Sequence, residues 1–159
     1  MHIVLRYCGY TLTKKELTMW TYEYTINTSA SIESIWNLYS DVTTWPSWDR
    51  ANEYTTIDGP FRTGATGEMK FIGQDPLKYS LVEVRPKQFF ADEVDLGDFT
   101  IRFEHHLSSK GPVVTLTDRV IISGPAAEVV GPDLGPKITA DIPDQLNAII
   151  ELAIAMVEK

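Results

Sequence analysis

The sequence contains a single cysteine, Cys8, among its 159 residues. This excludes an internal disulfide and a zinc site built from several thiolates. Proteins without disulfides are typical of reducing compartments, and the apolar run Ile3–Leu5 is too short for a secretory signal before Arg6 interrupts it. We therefore expect a cytoplasmic protein.

Positive charge is also scarce. The chain has 14 Lys and Arg against 22 Asp and Glu, which gives a formal net charge of -8 at pH 7. Binding to nucleic acid or to anionic lipid surfaces depends on clustered Lys and Arg. We therefore expect no nucleic-acid partner and no integral membrane association, while the choice between monomer and homodimer stays open.

The common nucleotide-binding and hydrolase motifs are absent as well. The sequence has no GxxxxGK[ST], GxGxxG, HExxH, GxSxG or paired-cysteine pattern. Adjacent His105 and His106 would point to opposite faces of a strand, and His2 lies near the N-terminus, so the histidines do not suggest one set of metal ligands. We expect no cofactor and no metal ion.

What the sequence does contain is typical of one globular domain. Hydrophobic residues make up 43% of the chain and charged residues 23%. The first convincing strand pattern begins after Met19. We predict that residues 1–18 form an N-terminal extension, either disordered or the result of an upstream start, and that residues 19–159 form the folded domain.

The first part of that domain predicts a strand, a helix and then a sheet. Apolar and polar residues alternate from Trp20 to Asn27, the period of a half-buried strand. Ser29 or Ser31 can cap a helix that ends near Asp41, and Pro46 then favours a turn or a second short helix. Turn-forming residues separate six further predicted strands, at Ala51–Ile57, Ala65–Ile72, Leu77–Arg85, Gln88–Leu96, Phe99–Ser108 and Val113–Ser123.

The C-terminal region changes to a helical period after Gly124–Pro125. Prolines interrupt it, so we predict that the ordered helix begins near Pro136, as a first-turn proline, with either a bend or a recapping by Asp141 near Pro143. Its apolar residues form one stripe that should face the sheet. The stripe consists of Ile138, Ile142, Leu146, Ile149, Ile150, Ala153, Met156 and Val157.

Several short motifs occur in the order known from one family. The segment SIWNLYSDV at 34–42 is followed by WPSWD at 45–49, DGPF at 58–61, LVEVRP at 81–86 and SGP at 123–125. Over residues 20–159 the chain resembles the SRPBCC, or START-like, superfamily, in particular its polyketide cyclase/dehydrase and lipid-transport family.

The resemblance implies an α+β helix-grip fold. In that fold a seven-stranded curved antiparallel sheet wraps around a long C-terminal helix, two short helices connect strands 1 and 2, and a cavity for apolar molecules lies between sheet and helix. The superfamily includes carriers, ligand-gated regulators and some cyclases. The resemblance therefore implies a cavity and no particular reaction.

The candidates for ligand contact are aromatic and apolar side chains, which suit a pocket wall because they stack and pack closely. Core packing is the alternative for each of them, above all for Trp36. Trp45 and Trp48 fall where the family's helix pair closes one end of the cavity. The predicted ligand-binding residues are Trp36, Trp45, Trp48, Met69, Phe71, Phe99, Ile101, Phe103, His105, Leu116, Leu146 and Ile150.

His105 and Asp118 are the candidates for catalysis. Strand alternation places His105 on the apolar face with Phe103 and Leu107, and places Asp118 among apolar residues of the last strand. A neutral imidazole in a pocket can act as acid or base, and a nearby carboxylate would orient it. The alternatives are a structural histidine, a structural polar pair and a rim position for Asp118, since the register between the strands is open.

We therefore expect a protein that binds a hydrophobic or amphipathic small molecule, such as a lipid, a polyketide or an aromatic metabolite. The first alternative is a cyclase or dehydratase, a lyase-like enzyme that uses His105 as acid or base. The second is a partner-binding module of the stress-response type. Enzymatic activity is left open, and a binding protein is favoured.

Overall fold

The computed structural model describes residues 5–7, 10–12 and 19–157. Strands β1 (Leu5–Tyr7) and β2 (Tyr10–Leu12) pair antiparallel. Most of the predicted N-terminal extension, with Cys8 and His2, lies outside the described residues. The predictions made for residues 1–18 therefore stay predictions.

The domain is built on a seven-stranded antiparallel sheet with the order β3-β9-β8-β7-β6-β5-β4. The meander runs from β4 to β9, and β3 closes the sheet by pairing with the last strand. The α+β helix-grip fold predicted from the sequence is confirmed. The strands are β3 (Met19–Thr28), β4 (Asn52–Thr55), β5 (Thr66–Phe71), β6 (Leu77–Arg85), β7 (Phe89–Asp95), β8 (Thr100–Lys110) and β9 (Val113–Ser123).

The strand patterns follow directly from the sequence. Along β3 exposed and half-buried residues alternate, and along β9 every second residue from Val114 to Ile122 is buried. One face of the sheet therefore packs on the core while the other meets solvent. Asp118 lies on the buried face of β9, at 4% exposure.

Two short helices connect β3 and β4, as predicted. Helix α1 (Ile32–Ser40) begins at Ser31, whose hydroxyl accepts a hydrogen bond from the Ser34 amide at 3.1 Å. A 3-10 turn at Val42–Thr44 leads into α2 (Trp45–Trp48), with Pro46 in its first turn. The Trp45 indole Nε1 donates to the Tyr39 carbonyl at 3.0 Å, which fixes the two helices against each other.

The C-terminal region differs from the prediction. A helix, α3 (Ala127–Thr139), begins well before Pro136, and α4 (Ile142–Val157) follows it after a break. Pro132 and Pro136 lie inside α3 on its exposed side. The start near Pro136 is therefore wrong, whereas the predicted bend near Pro143 falls at the α3–α4 junction.

Close packing against Trp20 explains why α3 is helical although it contains two prolines. A Cβ at Gly131 would lie 2.5 Å from the Trp20 Cβ, and a Cβ at Gly135 would lie 2.5 Å from its indole ring. The two glycines thus let the helix backbone rest directly on the indole. This tertiary contact offsets the local cost of the prolines.

The core lies between the sheet and α4. Leu146, Ile149 and Ala153 of α4 are at most 1% exposed. Met156 and Val157, which the sequence placed on the same stripe, are 44% and 65% exposed, because α4 extends past the packed part of the core at its end. Within the described residues, no helix is long and apolar enough to cross a membrane.

Candidate functional site

A cavity of about 460 Å³ lies between the buried face of the sheet, α2, α3 and the start of α4. Its size falls in the range of small-molecule pockets, and most of its wall is apolar or aromatic. The apolar part of the wall includes Trp45, Trp48, Met69, Phe71, Leu77, Val94, Ile101, Phe103, Val120, Leu134, Ile138 and Ile142.

The structure brings most of the predicted ligand-binding residues to this cavity. Those that line it are Trp45, Trp48, Met69, Phe71, Ile101, Phe103 and His105. The predicted residues that are not on its wall are Trp36, Phe99, Leu116, Leu146 and Ile150.

Those remaining residues pack in or against the core. Leu116 and Leu146 are fully buried at 0% exposure, and Trp36 contacts Phe61 and Phe90 edge to face. Alternation identifies the buried face of a strand, but it does not distinguish a residue that meets a cavity from one that meets another side chain. For Trp36 the core alternative is the one observed.

His105 and Asp118 face each other across adjacent strands. The register pairs His105 of β8 directly with Asp118 of β9, and the His105 Nδ1 lies 2.9 Å from the Asp118 Oδ1. Both residues line the cavity and are nearly buried, at 9% and 4% exposure. His106 points to the other face, where its Nε2 lies 3.0 Å from the Glu104 Oε2.

A second carboxylate, Asp92 of β7, reaches the other side of the imidazole. Its Oδ1 lies 3.7 Å from the His105 Nε2, and the residue is 3% exposed and lines the cavity. Sequence reasoning missed it. The signal was present, because Asp92 lies two residues from both Phe90 and Val94, and alternate residues of a strand share one face.

The two carboxylates determine the charge of the histidine. Burial disfavours the imidazolium, but Asp118 and then Asp92 outweigh it and raise the pKa of His105 to about 10. Burial also raises the pKa of Asp92, against the opposing effect of His105. His105 is therefore a cation near neutral pH, not the neutral imidazole that the sequence suggested.

Aromatic rings enclose the imidazole. Phe90 stacks on it with centroids 4.2 Å apart and an interplanar angle of 16°, and the Tyr39 ring lies 5.4 Å away. Phe90 and Tyr39 are at most 1% exposed. A buried cation gains from the face of an aromatic ring, so this packing holds the His105 ring in one orientation.

Unpartnered polar atoms lie close to the same region. The Tyr39 hydroxyl is buried without a hydrogen bond, and burial, with a contribution from Asp118, raises the pKa of Tyr39 well above its usual range. Two cavity-lining residues, Trp48 and Asn52, also have an unpartnered atom each, the indole Nε1 and the amide Oδ1. Buried polar atoms normally have hydrogen-bond partners. The free Trp48 and Asn52 atoms therefore make the α2 end of the cavity more polar than its apolar lining suggests.

The described part of the chain contains no arrangement of side chains that is typical of a metal site. Among residues 5–7, 10–12 and 19–157 no group of three or more His, Cys, Asp or Glu is arranged to hold an ion. In Asp92, His105 and Asp118 the histidine nitrogens face the two carboxylates instead of one shared point. The expected absence of a metal stays a prediction.

Comparison with known structures identifies the fold. Norcoclaurine synthase from Thalictrum flavum, in complex with dopamine and hydroxybenzaldehyde, aligns with a TM-score of 0.67 at 17% identity, over 87% of this chain and 88% of that one. Ara h 8.0201 aligns with a TM-score of 0.71 at 9% identity, over 87% and 99% of the two chains. The chain has the START-like helix-grip fold.

A third START-like neighbour is the di-domain ARO/CYC StfQ from the steffimycin biosynthetic pathway. It aligns with a TM-score of 0.71 at 8% identity, over 89% of this chain and 52% of that one. These neighbours belong to the START/Bet v 1 (SRPBCC) superfamily that the sequence motifs resemble. No family model matches the sequence, and no curated protein matches it. The identities are low, so the likeness concerns the fold.

Proposed function

We propose that this protein binds an apolar small molecule that carries at least one polar group. The observation that carries the proposal is the cavity of about 460 Å³, whose apolar wall contains one buried charged cluster of Asp92, His105 and Asp118. Burial of apolar surface supplies affinity, and a few convergent polar groups orient the ligand.

The fold neighbours support this class of ligand. One START-like neighbour holds dopamine and hydroxybenzaldehyde, which are small aromatic molecules, and another comes from a biosynthetic pathway as an ARO/CYC protein. Trp45, Trp48, Phe71 and Phe103 of this chain line the cavity and suit a flat aromatic ligand. We therefore favour an aromatic metabolite or polyketide over a long-chain lipid.

A titration with the neutral fluorescent probe N-phenyl-1-naphthylamine tests the proposal. We expect saturable binding with enhanced fluorescence at a stoichiometry of about one probe per chain. Ile101→Trp, which fills the cavity from β8, should weaken binding at least tenfold. Val129→Trp places the same indole on an 81% exposed position of α3 and should leave binding unchanged. Equal binding by both variants would place the probe elsewhere.

An acid–base enzyme is the second candidate function. Apolar binding alone needs no buried histidine between two carboxylates, and isolated charges are costly to bury. Perturbed titratable groups in a cleft are typical of functional sites. The cluster of Asp92, His105 and Asp118 therefore favours proton transfer on a bound ligand.

A further inference from the structure

We propose that the cavity catalyses proton transfer at the carbon next to a ligand's carbonyl group, with Asp92 as the proton acceptor and His105 as the hydrogen-bond donor to the carbonyl oxygen. The substrate class is an apolar, enolisable ketone. This inference rests on the proposed function, because the ketone must first enter the cavity.

The two nitrogens of His105 have different surroundings. Nδ1 bonds Asp118 at 2.9 Å, whereas Nε2 lies 3.7 Å from the Asp92 Oδ1, which is longer than a hydrogen bond. The Nε2 proton is therefore held by no close acceptor on Asp92. A carbonyl oxygen that enters the cavity can accept it, and Phe90 keeps the ring in place for that bond.

Asp92 is the group suited to move a proton. It lines the cavity at 3% exposure, and its cross-strand partner Phe103 and its strand neighbour Val94 line the same apolar wall. Its pKa is raised by burial, which brings a carboxylate closer to the basicity needed to abstract a carbon-bound proton near neutral pH. Asp118, in contrast, is engaged with Nδ1 and holds His105 in its charged form.

The reaction step balances within the cavity. The α-carbon's C–H bond breaks, the proton forms an O–H bond with the Asp92 carboxylate, and the electron pair becomes the C=C bond of an enolate. The carbonyl π electrons move to oxygen, which the His105 Nε2–H stabilises by a hydrogen bond. The proton on the Asp92 carboxyl then exchanges with solvent, and a solvent-derived proton returns from Asp92 to the enolate carbon. The ketone and the carboxylate are thereby regenerated, so no oxidant or reductant is consumed and water is the only exchange partner.

Deuterium exchange into two apolar ketones, 1-tetralone and 4-phenyl-2-butanone, tests this inference. The wild-type protein in deuterated buffer should exchange their α-protons at least about 100-fold faster than buffer alone, followed by NMR. Asp92→Asn should abolish the acceleration while it still binds ketone, measured by displacement of N-phenyl-1-naphthylamine. The matched control is Glu93→Gln, the next residue of β7, which lies at a groove on the other face and should exchange like wild type.

His105→Gln is the second variant and keeps a side-chain donor without the positive charge. We expect it to bind ketone and to lose most of the acceleration. Ketone binding without exchange in the wild type, or full exchange in Asp92→Asn, would overturn the inference and leave the binding function standing. If the wild type binds neither of the two ketones and also does not bind the fluorescent probe, the proposed function itself is overturned.

Discussion

The His105 Nδ1 lies 2.9 Å from the Asp118 Oδ1, between two adjacent strands and at the wall of an apolar cavity. Because the pair is buried, removal of one partner leaves an uncompensated charge in a medium that solvates it poorly. The pair therefore connects the stability of the sheet with the chemistry of the cavity, and both can be measured on the same variants.

Asp118→Asn should destabilise the protein by about 3 kcal/mol, because the His105 cation loses its closest counter-charge. Urea unfolding followed by tryptophan fluorescence measures the change. Asp133→Asn is the control, since Asp133 pairs with Lys137 on the exposed side of α3 and its loss should cost no more than about 0.5 kcal/mol. A similar small effect for Asp118→Asn would show that the buried pair is not structural.

Stability should fall as the pH rises from about 6.5 to 10. The pKa of His105 is about 10 in the folded state against 6.5 for an ordinary histidine, so the folded protein binds an extra proton across that window. The groups that face the ring are Asp118 of β9, Asp92 of β7 and Tyr39 of α1. Stabilisation by the cation is complete below pH 6.5 and is lost through pH 10.

The measurement is the free energy of unfolding at intervals between pH 6 and pH 10.5. Tyrosines and lysines also titrate near the top of this range, so the wild type is compared with His105→Gln at each pH. We expect the difference between the two proteins to shrink as the pH rises. A constant difference would contradict a raised pKa for His105.

Gly131→Ala and Gly135→Ala should each destabilise the protein by about 1–3 kcal/mol. In both variants the new methyl group would lie 2.5 Å from Trp20, so α3 must move away from β3. Thermal unfolding measures the loss, and a blue- or red-shift of tryptophan emission reports the displaced indole. Pro132→Ala, on the exposed side of the same helix, should be neutral or stabilising, because it restores a helical N–H.

Ser31→Ala should cost about 1 kcal/mol, because the Ser31 hydroxyl accepts the bond that caps α1. The sequence allowed Ser29 or Ser31 in that role, and the structure selects Ser31. Ser29→Ala is thus the matched control and should change the free energy of unfolding by no more than a few tenths of a kcal/mol. Equal losses for the two variants would contradict the cap assignment.

The sequence predicted the sheet well because alternation has a short period and is read from neighbours along one strand. Leu77–Arg85 and Val113–Ser123 appear with the predicted bounds. It could not predict the start of α3, because that helix depends on the contact of Gly131 and Gly135 with Trp20, which is more than 100 residues away in the sequence. Local proline penalties were outweighed by tertiary packing.

Only part of the candidate site was predicted, because that site also depends on contacts between residues distant in sequence. The inward direction of His105 and Asp118 follows from alternation within each strand, but their pairing depends on the β8–β9 register, which only the fold supplies. Asp92 joins them from a third strand, and its pairing with Phe103 sets its position beside His105. Sequence patterns therefore predict which residues are buried, whereas the distances between their side chains are set by the pairing of the strands in the sheet.

The most direct test of the central claim is the NMR signal of the His105 imidazole during a titration with N-phenyl-1-naphthylamine. His105 lies on the cavity wall, and His106, the next residue on β8, points to the other face and bonds Glu104. A ligand in the cavity should shift the His105 ring signals and leave those of His106 unchanged. Saturable binding with no change at His105, or with equal changes at both histidines, would contradict a ligand site beside the charged cluster.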